Sequence, residues 1–121
     1  MRIVIVENDP VFSSVLTEHL RDCGHEVYLF ESICAIESVL KALSPHVIVT
    51  DLLLTGVTAK ELIDFYRQFE CPLYVMSSVD KEDLHYFARE VNAQGYFHKP
   101  FHSELLIDEL KRFKDLKSAI Y

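Results

Sequence analysis

Positive charge is scarce in this chain: 12 Lys and Arg stand against 19 Asp and Glu, a formal net charge of −7. Nucleic-acid phosphates are held by clustered Lys and Arg, so this balance argues against a direct nucleic-acid partner. The only basic group, Lys111-Arg112 with Lys114 and Lys117, sits among Asp108, Glu109 and Asp115 and reads as a solvated helix face. Cysteine is scarce as well. Cys23, Cys34 and Cys71 are odd in number, with neither CxxC spacing nor a paired framework, as expected in a reducing compartment; they read as small buried apolar side chains. No uninterrupted apolar segment approaches the roughly 20 residues that span a bilayer, and Met1-Arg2-Ile3-Val4 enters a strand rather than a signal peptide. A cytoplasmic protein without membrane insertion is expected. His19, His25, His46 and His85 lack the short spacing of a zinc cluster, while His98 and His102 read as structural or solvated.

What the chain does contain is a regular alternation. Short β-branched runs at Ile3–Val6, Val27–Phe30, Val47–Thr50, Leu73–Met76 and Tyr96–His98 are separated by stretches with apolar residues at helical spacing. The runs are continuous rather than alternating, as burial on both faces of a parallel sheet requires. The stripes are Phe12, Val15, Leu16, Leu20; Ile33, Ile36, Leu40, Leu43; Leu62, Ile63, Tyr66; Leu84, Phe87, Ala88, Val91; and Leu106, Leu110, Phe113. Asp9-Pro10 predicts an N-cap and first turn, Ser32 the start of the second helix, and Thr58-Ala59-Lys60-Glu61 a capping box; Gly24 and Ser44-Pro45 supply stops. Five βα units fill the chain without repeat or linker, so residues 1–121 are expected to form one α/β domain.

Polar residues stand at the ends of four of these runs: Glu7-Asn8-Asp9, Asp51, Ser77 and Lys99. In an open parallel sheet the carboxyl ends of the strands share one edge, so these positions converge on one crevice. Carboxylates there can hold a divalent cation, an ammonium adds positive charge, and a hydroxyl can donate to a phosphoryl oxygen. That set meets the needs of phosphoryl transfer to Asp51. Asp9 precedes Pro10 and reads as a cap rather than a metal ligand.

Val4-Ile5-Val6-Glu7-Asn8-Asp9-Pro10, Val47-Ile48-Val49-Thr50-Asp51-Leu52-Leu53-Leu54, Val75-Met76-Ser77-Ser78 and Gly95-Tyr96-Phe97-His98-Lys99-Pro100-Phe101 resemble, in order, the motifs of response-regulator receiver domains. The resemblance covers the whole chain. It implies a (βα)5 doubly wound, flavodoxin-like fold with a parallel five-stranded sheet of order 2-1-3-4-5, and a phosphoryl group taken from a sensor histidine kinase or a histidine phosphotransfer protein. By the same resemblance Asp51 is the phosphoacceptor, and Mg2+ is held by Glu7, Asn8, Asp51 and the backbone carbonyl of Leu53. Ser77 and Tyr96 are switch residues, Lys99 binds the phosphoryl group, and Leu53 and Val79 tune its hydrolysis. The Lys99-Pro100 bond is expected to be cis. Output is expected through the surface of the fourth helix, fifth strand and fifth helix, with His85, Tyr86, Phe97, Ile107 and Leu110 as candidate contacts. With no output domain in this chain, a downstream protein effector or effector domain is implied. No enzyme activity beyond the chain's own phosphotransfer is expected.

Three positions depart from the family pattern. Asn8 stands where aspartate is usual, Thr55 where proline is common and Ala59 where glycine is common. Glu7, Asp51 and Lys99 then sum to −1, so magnesium is expected to bind more weakly. The departures motivate an alternative, a pseudo-receiver that acts as a phosphorylation-independent interaction module. Other chemistry on the same topology is disfavoured. No phosphate loop of the FMN-binding kind follows the first strand. A haloacid-dehalogenase-type phosphatase would carry a second aspartate where Leu53 stands.

Overall fold

A computed structural model describes residues 1–34 and 36–120, with side chains as far as Lys117. Its strands are β1 (Arg2–Val6), β2 (Glu26–Phe30), β3 (Val47–Asp51), β4 (Leu73–Ser77) and β5 (Gly95–His98), and its helices α1 (Pro10–Asp22), α2 (Ile36–Leu43), α3 (Ala59–Tyr66), α4 (Lys81–Glu90) and α5 (Ser103–Ile120). The strands are parallel, in the order β2-β1-β3-β4-β5.

Side-chain alternation along the central strands builds a core on each face of the sheet. Val4, Val6, Ile48 and Val75 meet Ile36, Leu40, Leu62, Tyr66, Leu84 and Ala88 on one side, beneath α2, α3 and α4. Ile3, Ile5, Val47, Val49, Tyr74 and Met76 meet Leu16, Leu20, Leu106 and Leu110 on the other, beneath α1 and α5. Each fully buried Val, Leu, Ile or Met among them contributes about 1.5–3 kcal/mol. Double-sided burial explains why β1, β3 and β4 read as unbroken apolar runs. The edge strands β2 and β5 are only partly covered.

Local signals place the helix ends. Asp9 Oδ1 accepts from the N–H groups of Val11 (3.1 Å) and Phe12 (3.3 Å) at the head of α1, and Thr58 Oγ1 accepts from Glu61 N–H at 3.1 Å at the head of α3. Gly24, at φ 88°, makes the left-handed turn after α1, where a side chain would be strained. Three expectations fail. Cys23 and Cys34 are exposed and Cys71 is half-buried, because the first two lie in the turn after α1 and the bend before α2 rather than on a core face. The second helix begins at Ile36, not directly after Ser32; Ile33 reaches the core from the bend, so its burial needs no helical turn. Val15 is 46% exposed, since residues 12, 16 and 20 already form the inward face of α1.

The edge opposite the strand carboxyl ends is tied by Arg2. Its guanidinium donates to the carbonyls of Leu43 (3.1 Å) and Ser44 (3.0 Å) at the end of α2, and its backbone N–H donates to His46 Nδ1 at 2.8 Å. An N–H aimed at Nδ1 requires a neutral ring with its proton on Nε2. Burial and then the charge of Arg2 hold His46 below the ordinary 6.5. The unfolded chain therefore takes up this proton first. The stability due to His46 is present above the ordinary value and is lost as pH falls from there through the folded value. In urea denaturation from about pH 7 to pH 5, His46→Gln is expected to flatten the fall of the midpoint seen with the wild type; an unchanged slope would contradict this account.

Candidate functional site

Parallel strands in register deliver the four polar stations to one edge. Val6 pairs with Thr50, Thr50 with Val75, Asp51 with Met76, and Ser77 with His98. Glu7, Asp51, Ser77 and Lys99 thus lie at or just beyond the ends of neighbouring strands.

At the centre, the Lys99 ammonium donates to Glu7 Oε2 and Asp51 Oδ2, each at 2.7 Å. All three side chains are largely withdrawn from water, at 13%, 0% and 4% exposure. The remaining oxygens are also engaged. Glu7 Oε1 accepts from Asp9 N–H at 3.0 Å and Asp51 Oδ1 from Leu53 N–H at 2.7 Å. Burial pushes the Glu7 carboxyl up, and the Lys99 ammonium and the Asp9 N–H offset this only in part. Burial works against the charged form of Lys99, but its hydrogen bonds to Asp51 and Glu7 outweigh it and hold the ammonium above its ordinary value. The ammonium also sits 4.6 Å from the Phe12 ring centroid, and Phe12 packs edge-on against Phe101 at 5.3 Å. The Lys99-Pro100 peptide is cis, as expected.

The other stations are arranged differently. Ser77 is fully buried beside the triad, its Oγ accepting from Val79 N–H at 3.3 Å while its carbonyl accepts from Lys99 N–H at 2.8 Å. Tyr96 does not join the crevice. It is 44% exposed and packs edge-on against His85 at 5.5 Å. Asn8 is exposed at the mouth, with Nδ2 donating to Thr55 Oγ1 at 3.0 Å. The suggested contact patch contracts: Leu110 is fully buried, Phe97 and Ile107 pack against the core, and His85 and Tyr86 remain exposed.

Several participants escaped the sequence reading. Tyr66, buried on α3, donates to Thr50 Oγ1 at 2.8 Å, and Thr50 donates to the Asp51 carbonyl at 2.9 Å, so a buried hydroxyl chain pins the end of β3. The Phe12 contact with Lys99 was hidden because Phe12 also fits a core stripe. Val11 and Leu105, in the first turns of α1 and α5, are 74% and 55% exposed, as is Leu53, already singled out after Asp51, at 51%; a break between apolar type and burial becomes visible only once the fold is known.

The donor set fits a magnesium ion. Glu7 and Asp51 already converge on one cationic centre, the Lys99 ammonium, and magnesium sites commonly use one or two carboxylates and complete their shell with water or phosphate oxygens. Among the described residues no cluster of three or more His, Cys, Asp or Glu is placed to hold a metal. A cation at this edge must therefore supplement two carboxylates with neutral oxygens.

Comparison with known proteins agrees with this architecture. The family model of the response regulator receiver domain matches residues 3–111. The activated N-terminal receiver domain of Klebsiella pneumoniae RstA superposes with a TM-score of 0.80 at 23% identity, covering 92% of this chain and 96% of that one. A CheY-like receiver protein from Methanospirillum hungatei gives 0.80 at 19% identity, covering 99% and 98%. The chain is also 26% identical over 121 residues to hybrid signal transduction histidine kinase D of Dictyostelium discoideum, matching 97% of its own length but only 8% of that relative. A flavodoxin-like sheet with an acidic pair and a lysine at the carboxyl edge defines the class. The chain belongs to the response-regulator receiver domains of two-component signalling. Among the described residues no helix is long and apolar enough to cross a membrane.

Proposed function

We propose that Asp51 accepts a phosphoryl group from a phosphohistidine of a sensor histidine kinase or histidine phosphotransfer protein. The observation that carries this reading is the single ammonium of Lys99 shared at 2.7 Å by the Glu7 and Asp51 carboxylates. In the transfer the N–P bond of the donor breaks, a P–O bond forms to Asp51, and the imidazole nitrogen keeps its electron pair. Glu7, Asp51, the Asn8 amide oxygen and the Leu53 carbonyl would hold Mg2+, which when bound offsets negative charge between the nucleophile and the incoming group. Lys99 then binds a phosphoryl oxygen, and the Ser77 hydroxyl, at the end of the neighbouring strand β4, donates to another. The exposed Val11, Leu53 and Leu105 offer the donor an apolar rim.

Signalling follows by population shift, with movement of Ser77 favouring an inward Tyr96 over its present contact with His85. The changed surface of α4, β5 and α5 would engage a downstream protein effector or effector domain. Nothing is turned over beyond the chain's own acyl phosphate. Incubation with Mg2+ and a small-molecule phosphodonor is expected to add one phosphoryl mass, lost with Asp51→Asn or chelator. If no mass is gained from that donor or from a phosphotransfer protein, the pseudo-receiver reading takes over; it is motivated by the departures from the family pattern at Asn8, Thr55 and Ala59.

Neither Leu53 nor Val79 offers a polar group to orient water against the acyl phosphate, so its decay is expected to be slow. Val79→Glu should speed that decay roughly tenfold or more by supplying a general base. Decay followed by loss of the phosphoryl mass tests this, and an unchanged or slower rate would count against it.

A further inference from the structure

Two of the positions that depart from the family pattern touch each other. Asn8 follows β1 and Thr55 follows β3, yet Asn8 Nδ2 donates to Thr55 Oγ1 at 3.0 Å, joining the two loops at the carboxyl edge of the sheet. An aspartate at position 8 presents an oxygen whichever way it turns. An asparagine presents an acceptor at one end and two N–H donors at the other. Near an acidic pair such as Glu7 and Asp51, an amide free to turn is drawn to present its N–H2 to the negative charge. That orientation sets a donor, the wrong polarity, against an incoming cation. A threonine hydroxyl can bond either end of an amide, but in this structure Thr55 Oγ1 takes the nitrogen, and proline or valine at that position has no such group to offer.

We infer that Thr55 is a positioning residue for Asn8: it draws the amide nitrogen away from the acidic pair and leaves the amide oxygen for the cation. The inference rests on the magnesium-dependent reading above. It makes the two departures one compensated exchange, in which a neutral ligand replaces a charged one and a neighbouring hydroxyl fixes which end of that ligand faces the site.

The test is a double-mutant cycle read by magnesium affinity, measured calorimetrically on the intact chain. Thr55→Val is expected to weaken magnesium binding roughly two- to tenfold, the net worth of one such hydrogen bond. Thr55→Ser should restore it. With Asn8→Asp in place, Thr55→Val should have no effect, because a carboxylate has no wrong end. Equal weakening in both backgrounds would assign Thr55 a general loop role and overturn the inference, as would no weakening in the Asn8 background. The Asn8 side-chain amide signal in a 15N–1H NMR spectrum should shift with Thr55→Val, and a static signal would also overturn it.

The two readings fail separately. Binding by Asn8→Asp but not by the wild type would show that the amide oxygen is no ligand and would sink the inference. A wild type that binds magnesium with the expected coupling, yet accepts no phosphoryl group from any donor, would sink the phosphoacceptor reading and support the pair.

Discussion

Replacing Lys99 with methionine is expected to cost about 3 kcal/mol of stability at neutral pH, the penalty for leaving buried charges without their partner. The two carboxylates that share its ammonium at 2.7 Å are 0% and 4% exposed, so water cannot take over its role. The sign of the pH dependence follows from Glu7, whose carboxyl is already pushed above its ordinary 4.5 by burial. Without Lys99 it rises further, and the folded state then binds this proton more readily than the unfolded chain. The penalty is absent below the ordinary carboxylate value and grows as pH rises through the folded one. Urea midpoints should therefore separate wild type and variant at about pH 7.5 and converge toward about pH 4.5. A constant gap across that range would refute the ion-pair account.

Magnesium should stabilise this variant more than the wild type, because the ion no longer competes with an ammonium between the same two carboxylates. Phosphoryl transfer should nevertheless fall roughly a hundredfold, the usual consequence of removing one pre-placed positive donor from a phosphoryl site. Time-resolved intact-mass measurement at saturating magnesium would show it. Recovery of stability without recovery of transfer would separate the two roles of Lys99, neutralising the acidic pair at rest and stabilising the transferred group.

The second large effect lies behind the site. Thr50→Val keeps the shape of a fully buried side chain but strands the Tyr66 hydroxyl, which loses its acceptor, and removes the bond to the Asp51 carbonyl. Burial pushes the Tyr66 hydroxyl well above its ordinary range, so it cannot relieve the loss by ionising. A loss of about 2 kcal/mol is expected, seen as a melting temperature lower by roughly 5–10 °C. Adding Tyr66→Phe should recover most of it, since a buried pair replaced together leaves no orphaned donor. Calorimetric melts of the two single variants and the double variant measure this directly. A double variant less stable than Thr50→Val would show that the hydroxyls contribute more than mutual satisfaction. Because Asp51 ends the same strand, the Thr50→Val chain should also accept a phosphoryl group more slowly.

The sequence disclosed the fold because its signals are local and mutually consistent. Unbroken apolar runs gave the central strands to within a residue at each end, and Asp9 and Thr58 marked helix starts that their backbone bonds bear out. Glu7, Asp51 and Lys99 could be grouped because topology alone carries strand ends to a common edge. What escaped depends on which way a side chain turns. Val15 matched the helical stripe, yet residues 12, 16 and 20 filled the inward face without it. Cysteine chemistry suggested burial, while turn positions left Cys23 and Cys34 in solvent. Thr50 and Tyr66 belong to different elements, as do Asn8 and Thr55, and no periodicity relates such pairs before the chain has folded.

The ion pairs at the crevice also bear on the order in which the chain acquires its properties. Lys99 joins Glu7 across 92 positions and Asp51 across 48. Contacts so distant in sequence close late, because the loop entropy they cost is recovered only when the intervening strands have docked. An emerging polypeptide that has completed β3 but not β5 therefore carries two carboxylates with no ammonium between them. The same ion pairs act as a clasp between the first strand and β5, so a chain truncated before Lys99 would forfeit the charge balance of the crevice and, on the reading proposed above, the ammonium assigned to the phosphoryl group.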